Sequence, residues 1–167
     1  QSEPGTTISI TRSIARGYDN SIVDATRDKI RFSILGSIAL FIVTGYMYLR
    51  QDYLLGHAFL ATAIFFIPYY AFIGYSSFLN GKRMFKELAY FLSITSIITV
   101  IITIITALLT RNLVWIIVAF IGVNSLLNML FYRLTLNKRS NEKIDDDAVS
   151  YGRKLTWISL IAVAFIN

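Results

Sequence analysis

The stretch that decides the fold is residues 88–109, LAYFLSITSIITVIITIITALL, which contains no Asp, Glu, Lys or Arg. A helix needs roughly 20 apolar residues to cross a hydrocarbon core of about 30 Å, so this stretch is long enough to span a membrane. Three further stretches share its apolar character: 32–49, 53–78 and 113–132. A fifth apolar run begins at Leu155 and is cut off at Asn167. We therefore predict an all-α, polytopic membrane helix bundle with four complete spans and a truncated fifth.

The composition of the chain agrees with a membrane protein and argues against several other classes. Hydrophobic residues make up 55% of the 167 residues and charged residues 16%, with a mean hydropathy of +0.58, whereas about a quarter of a soluble domain is charged. With no cysteine and one histidine, the chain lacks the usual ligands of zinc and of redox metals. We expect no metal and no cofactor.

The distribution of basic residues predicts the orientation of the spans. Of the 16 lysines and arginines, only Arg50 and Arg111 lie in the connections 50–52 and 110–112. The others flank the opposite ends of the spans, which the positive-inside rule assigns to the cytoplasm. We therefore predict a multi-pass protein of the cell (cytoplasmic) membrane with a cytoplasmic N-terminal segment. Headgroups and topology account for the net charge of +6, so we expect the phospholipid bilayer, and no nucleic acid, as a partner.

Polar side chains inside the spans are the candidates for function. Asn124 and Asn128 lie one helical turn apart in the fourth span, where amides are costly without partners or water, so we expect both to face the bundle interior. Threonines recur on one face of the third span, at positions 95, 99, 103, 106 and 110. They could form a polar cavity wall or pack against a neighbouring helix, and packing is the favoured interpretation. Packing is also the favoured role for Pro68, which we expect to kink the second span.

No pattern in the chain points to catalysis. The sequence contains no catalytic pattern of a nucleophile with its base, no glycine-rich phosphate loop and no membrane-embedded acid. We therefore expect the protein not to be an enzyme, which leaves transport or scaffolding.

Four local patterns resemble, in order, polysaccharide biosynthesis proteins that flip lipid-linked oligosaccharides. This O-antigen flippase family belongs to the multidrug/oligosaccharidyl-lipid/polysaccharide exporter superfamily. The patterns are Pro4-Gly5 with 15–19 (ARGYD), 78–86 (FLNGKRMFK), 124–132 (NSLLNMLFY) and 151–156 (YGRKLT). The last departs from the family at Arg153-Lys154, where Lys-His is usual, but the charge is kept.

The resemblance implies an interior fragment of one lobe of the transporter. Residues 1–31 would be a cytoplasmic segment with the tail of the family's second helix, 32–133 would hold helices three to six, 134–154 would be a cytoplasmic charged loop, and 155–167 would begin helix seven. The implied substrate is an undecaprenyl-diphosphate-linked oligosaccharide, with Asn124 and Asn128 lining its cavity and Arg16 engaging the diphosphate. Polysaccharide polymerase and glycosyltransferases would be partners.

Two other functions remain open. The first is a small four-helix membrane scaffold, or a subunit whose partner holds an active site. The second is a membrane enzyme acting on the same lipid-linked sugars, which would need carboxylates or histidines near the interface in further parts of the protein.

Overall fold

The structure, a computed structural model, describes residues 4–140 and the side chains of residues 9–140. Its helices are α1 (Pro4–Ala15), α2 (Ser21–Leu49), α3 (Tyr53–Ala71), one 3-10 turn (Phe72–Gly74), α4 (Tyr75–Gly81), α5 (Phe85–Thr110) and α6 (Leu113–Leu136). The predicted all-α class is confirmed. The predicted fifth span at 155–167, and the predicted charged loop from residue 141 onward, lie outside the described residues.

Four helical segments are long and apolar enough to cross a membrane. They are Ser21–Leu49, Tyr53–Gly81, Phe85–Thr110 and Leu113–Leu136, and each contains one of the four stretches predicted from the sequence. The chain is therefore a multi-pass integral membrane protein whose spans contact the lipid bilayer.

Short turns join the spans and force neighbours to run antiparallel. The turn after α2 places Gln51 at φ 62°, and the turn after α4 places Arg83 at φ 58°. In each, the next backbone N–H closes back onto the helix: Asp52 donates to the Met47 carbonyl and Met84 to the Leu79 carbonyl, at 3.0 and 2.8 Å. Left-handed residues followed by such bonds end helices abruptly. We call the end of the bundle that holds the 50–52 and 111–112 turns the outer end, and the opposite end, which the charges predict to be cytoplasmic, the inner end.

The spans form a row with α3 and α6 in the middle. α3 contacts α2 on one side and α6 on the other, while α5 packs against α6. Small residues bring α2 and α3 together: the Ser37 hydroxyl donates to the carbonyl of fully buried Ala63 at 2.7 Å, and the Phe66 ring covers Gly36. Without a hydrophobic driving force between helices in lipid, such close contacts and interhelical hydrogen bonds are what hold spans together.

The apolar core lies toward the inner end. Tyr75, Phe78 and Leu79 of α4 are almost completely buried, and they pack with the rings of Phe91 and Phe131, which stack with centroids 4.3 Å apart. α1 runs beside α4 and adds Ile10 and Ile14 to this core. By contrast, large apolar side chains near the outer end are exposed to lipid, including Leu49, Leu108 and Leu109 at 85, 74 and 79%. The buried apolar cluster thus lies in the inner half of the bundle.

Candidate functional site

A buried carboxylate joins three turns at the inner end. Asp19 follows α1 and is 0% exposed. The Lys82 ammonium, in the turn after α4, lies 2.6 Å from Asp19 Oδ1. Ser140, beyond α6, donates its backbone N–H and its hydroxyl to Asp19 Oδ2, at 2.8 and 2.6 Å. We call Asp19, Lys82 and Ser140 the inner-end network.

The network keeps Asp19 ionised. Burial alone would raise the pKa of this carboxyl, but the hydrogen bonds from Lys82 and Ser140, together with the charge of Lys82, outweigh it and lower the pKa. Asp19 therefore carries its negative charge at any physiological pH and forms an ion pair with Lys82. Removal of one member of a buried ion pair leaves the other charge buried without a partner, which is energetically costly. The pair therefore constrains the relative positions of the three turns.

Local backbone geometry brings the members of the network together. Gly17 has φ +93°, a left-handed conformation that glycine adopts without strain, and the Tyr18 N–H donates back to the Ser13 carbonyl at 3.1 Å. This ends α1 and turns Asp19 toward the bundle. A second contact reinforces the first, because Arg139 donates from Nη1 to Asn20 Oδ1 at 2.5 Å.

The second polar feature lies around Pro68 in α3. Proline has no N–H, so it frees a carbonyl one turn earlier and weakens the helix. Two side chains of α6 reach α3 carbonyls on either side of Pro68. Asn128 Nδ2 donates to the Tyr69 carbonyl at 3.2 Å. The Ser125 hydroxyl lies 3.2 Å from the Phe65 carbonyl, but its shorter hydrogen bond, at 2.7 Å, is to Ile121 of its own helix. The α-helix continues through Pro68 to Ala71 and then tightens into the 3-10 turn. Asn128 thus links α6 to α3 one residue beyond Pro68.

The structure does not gather the three predicted substrate-binding residues into one pocket. Asn128 is 4% exposed and lies between α3 and α6. Asn124 is half-buried and donates from Nδ2 to the Phe120 carbonyl of its own helix at 2.8 Å. Arg16 is exposed in the turn after α1, at the inner end. The predicted binding roles of these residues stay predictions.

The threonine face of α5 divides into two groups. Thr95 is buried, and its hydroxyl donates to the Phe91 carbonyl at 2.9 Å; Thr106 and Thr110 bond to their own helix in the same way. These bonds satisfy the hydroxyls within α5 itself, which agrees with the packing interpretation of these threonines. The hydroxyls of Thr99 and Thr103 are also covered, but neither has a hydrogen-bond partner among the described residues.

Sequence reasoning missed the inner-end network. Asp19 and Lys82 belong to two of the quoted patterns, 15–19 and 78–86, but neither is among the site residues predicted from the sequence. An acidic residue directly after a helix, opposite a basic turn on the same side of the membrane, was the available signal. Ser140 offered none, because it lies 121 residues from Asp19 in the chain.

The described residues, 4–140, contain no group of three or more His, Cys, Asp or Glu side chains that could hold a metal ion. No protein-family model, curated protein or solved structure matches the chain.

Proposed function

We propose that this chain is part of a flippase that carries an undecaprenyl-diphosphate-linked oligosaccharide across the cytoplasmic membrane. The observation that carries the proposal is the 2.6 Å ion pair between Asp19 and Lys82. These residues belong to two separate patterns that resemble the flippase family, so the two resembling turns meet in space.

The mechanical character of the bundle fits such a transporter. Alternating access moves one group of helices as a body against another, which requires each group to be internally stiff. The inner-end network ties the turns after α1, α4 and α6, and Asn128 with Ser125 ties α6 to α3. Four spans held by these contacts would rock as a unit, as half of a larger transporter must.

The chemistry of the substrate suggests separate roles for the predicted residues. A diphosphate and a glycan are costly to move through hydrocarbon, so the protein must offer polar surface along the path while the prenyl tail stays in lipid. Arg16 is exposed at the inner end, where a diphosphate would first arrive, and Asn124 is half-buried in the span. Arg16 would thus capture the headgroup and the asparagines would line its route.

The test is a translocation assay on the full protein that contains this chain. The protein is reconstituted in liposomes with a fluorescent undecaprenyl-diphosphate-linked oligosaccharide, and a membrane-impermeant quencher reports the fraction that has crossed. Arg16→Ala should slow crossing at least several-fold. Arg27→Ala is the matched control, since Arg27 is also a surface arginine near the inner end, with 66% of its side chain exposed.

Lack of substrate crossing with the unaltered, folded protein would reject the proposal. Equal rates for Arg16→Ala and the unaltered protein would reject the role of Arg16 alone. The scaffold alternative predicts that the chain copurifies with a membrane enzyme, such as a polymerase or glycosyltransferase, and moves no lipid. The enzyme alternative predicts chemical conversion of the lipid-linked sugar, which mass spectrometry of the extracted lipid would detect.

A further inference from the structure

Two hydroxyls in the middle of α5 are buried without hydrogen bonds. Thr99 is 3% exposed, and neither its hydroxyl nor that of Thr103 has a partner among the described residues. The threonines on either side of this pair donate to their own helix: Thr95 to Phe91 and Thr106 to Ile102, at 2.9 and 2.8 Å. An unpaired hydroxyl costs free energy in any apolar surrounding, and lipid offers it no partner. Local helix bonding therefore does not account for this pair.

Thr99 continues the buried face of α5 that Phe91 and Thr95 begin, and Thr103 lies one turn further along the same face. The Tyr75 ring of α4 packs edge-on against the Phe91 ring of α5, with centroids 6.2 Å apart. Because residues four apart share a helix face, Thr99 and Thr103 continue the Thr95 face toward the outer end, beyond the position that Tyr75 fills.

The Asn124 amide on α6 lies at about the same depth as Thr99. The stacked rings of Phe91 and Phe131 fix the register of these antiparallel helices, and equal rise on both places Thr99 level with Val123 and Asn124. Asn124 Nδ2 is occupied by the Phe120 carbonyl, while Asn124 Oδ1 accepts no hydrogen bond from the described part of the chain. Thr99 and Asn124 thus lie at one depth on neighbouring helices, and Thr103 lies one helical turn, about 6 Å, closer to the outer end.

We infer that Thr99, Thr103 and Asn124 form a subsite for the hydroxyl groups of a sugar. A hydroxyl both donates and accepts, and an amide oxygen accepts, so this set can pair with the alternating donors and acceptors of a polyhydroxylated ligand. The inference rests on the proposed function and names the part of the lipid-linked oligosaccharide that this face receives.

Access to the subsite comes from the outer end. The apolar core is concentrated at the inner end, while Ile101, Leu108 and Leu109 on the outer half of α5 are 50, 74 and 79% exposed. Parting of the outer halves of α5 and α6 would uncover the two hydroxyls, and sugar hydroxyls would then satisfy them.

The experiment measures binding by the full protein in lipid nanodiscs with two probes. One probe is an undecaprenyl-diphosphate-linked disaccharide, and the other is undecaprenyl diphosphate without sugar. Thr99→Val and Thr103→Val keep the side-chain shape and remove one hydroxyl each. Each should weaken binding of the glycosylated probe by about 3- to 10-fold, the effect of one lost hydrogen bond, and leave the sugar-free probe unchanged. Thr106→Val is the matched control, since its hydroxyl is already bonded to its own helix, and it should bind both probes as the unaltered protein does.

Each other outcome has a defined meaning. If the unaltered protein binds both probes equally, or if neither Thr99→Val nor Thr103→Val weakens glycan binding, the subsite does not exist and the proposed function stands. If the folded protein binds neither probe, the proposed function fails as well. Thermal unfolding checks each variant: Thr99→Val should unfold at the same or a higher temperature, because it loses an unsatisfied group. Should it fold poorly, Thr99→Ser, which keeps the hydroxyl, must retain glycan affinity, and a loss there would contradict the subsite.

Discussion

Breaking the Asp19–Lys82 pair should destabilise the protein more than breaking any exposed pair. Asp19→Ala removes the partner of Lys82 at 2.6 Å and the acceptor of both Ser140 donors. Truncating one member of a buried ion pair costs about 3–5 kcal/mol. The Lys82 side chain is 25% exposed and can turn partly to water, so we expect the lower end, about 3 kcal/mol. Lys82→Ala should cost a similar amount, because it strands a carboxylate that is 0% exposed.

The double variant separates the pair from its surroundings. With both side chains removed, no charge is stranded, and we expect a loss of about 4 kcal/mol instead of the roughly 6 that independent effects would give. The coupling energy is then about 2 kcal/mol. Reversible unfolding in mixed detergent micelles, followed by the helical signal in circular dichroism, supplies the four free energies of the cycle.

A surface pair provides the control for this cycle. Asp24 and Arg27 approach to 3.5 Å between Oδ1 and Nη1, but the Arg27 side chain is 66% exposed. Exposed pairs contribute about 0.2–1 kcal/mol, so we expect the coupling energy of Asp24 and Arg27 to lie near the lower of these two values. An Asp19–Lys82 coupling no larger than that of Asp24–Arg27 would refute the argument that the inner-end network holds the three turns together.

Four further predictions follow from the same contacts. The pKa of Asp19 is lowered in the folded protein, so its ionised form adds stability at pH values above the unfolded carboxyl pKa of about 3.9. The difference in unfolding free energy between the unaltered protein and Asp19→Asn should therefore stay constant down to about pH 5 and shrink as the pH falls further. A difference that shrinks between pH 8 and 6 would contradict this. Gly81→Ala should lower the unfolding free energy by about 1–3 kcal/mol, since the new Cβ would lie 2.8 Å from Ile14 Cβ and 2.9 Å from the Thr11 carbonyl oxygen. Gly45→Ala is the control: its Cβ would have nothing within 4 Å, so it should be neutral or slightly stabilising in the same unfolding assay. Asn128→Leu should lower the unfolding free energy by about 1 kcal/mol because it removes the interhelical bond to Tyr69, and Asn124→Leu, whose amide bonds within its own helix, should lower it less. The chain has no cysteine, so single cysteines at Gln51 and Asn137 can be labelled without background, and an impermeant maleimide added to intact cells should reach position 51 and not position 137; the reverse would invert the predicted topology.

The spans were predictable because lipid makes their requirements simple. A segment such as 88–109 must be long, apolar and uncharged, and these properties are visible in one stretch of sequence. The short outer turns, including Asp52 as the N-cap of α3 and Asn112 as the N-cap of α6, follow from the same local information.

The contacts between spans were not predictable in the same way. The close approach of α1 to α4 depends on Gly81 having no side chain opposite Ile14, and glycine in a membrane helix is too common to indicate its partner. Asn128 was expected to face the interior, but its partner, the Tyr69 carbonyl, depends on how α3 and α6 rotate against each other. Thr95, Thr99 and Thr103 look equivalent in the sequence, and only packing decides which hydroxyl bonds to its own helix.

The inner-end network also sets an order for biosynthesis. Asp19 leaves the ribosome 121 residues ahead of Ser140, so its carboxylate enters the membrane surface region long before both of its Ser140 donors exist. α1 and α4 can form early, but the inner end closes only after α6 has been inserted. A nascent chain shorter than 140 residues lacks both Ser140 donors, so the inner-end network can form only after α6 and the turn beyond it have been made.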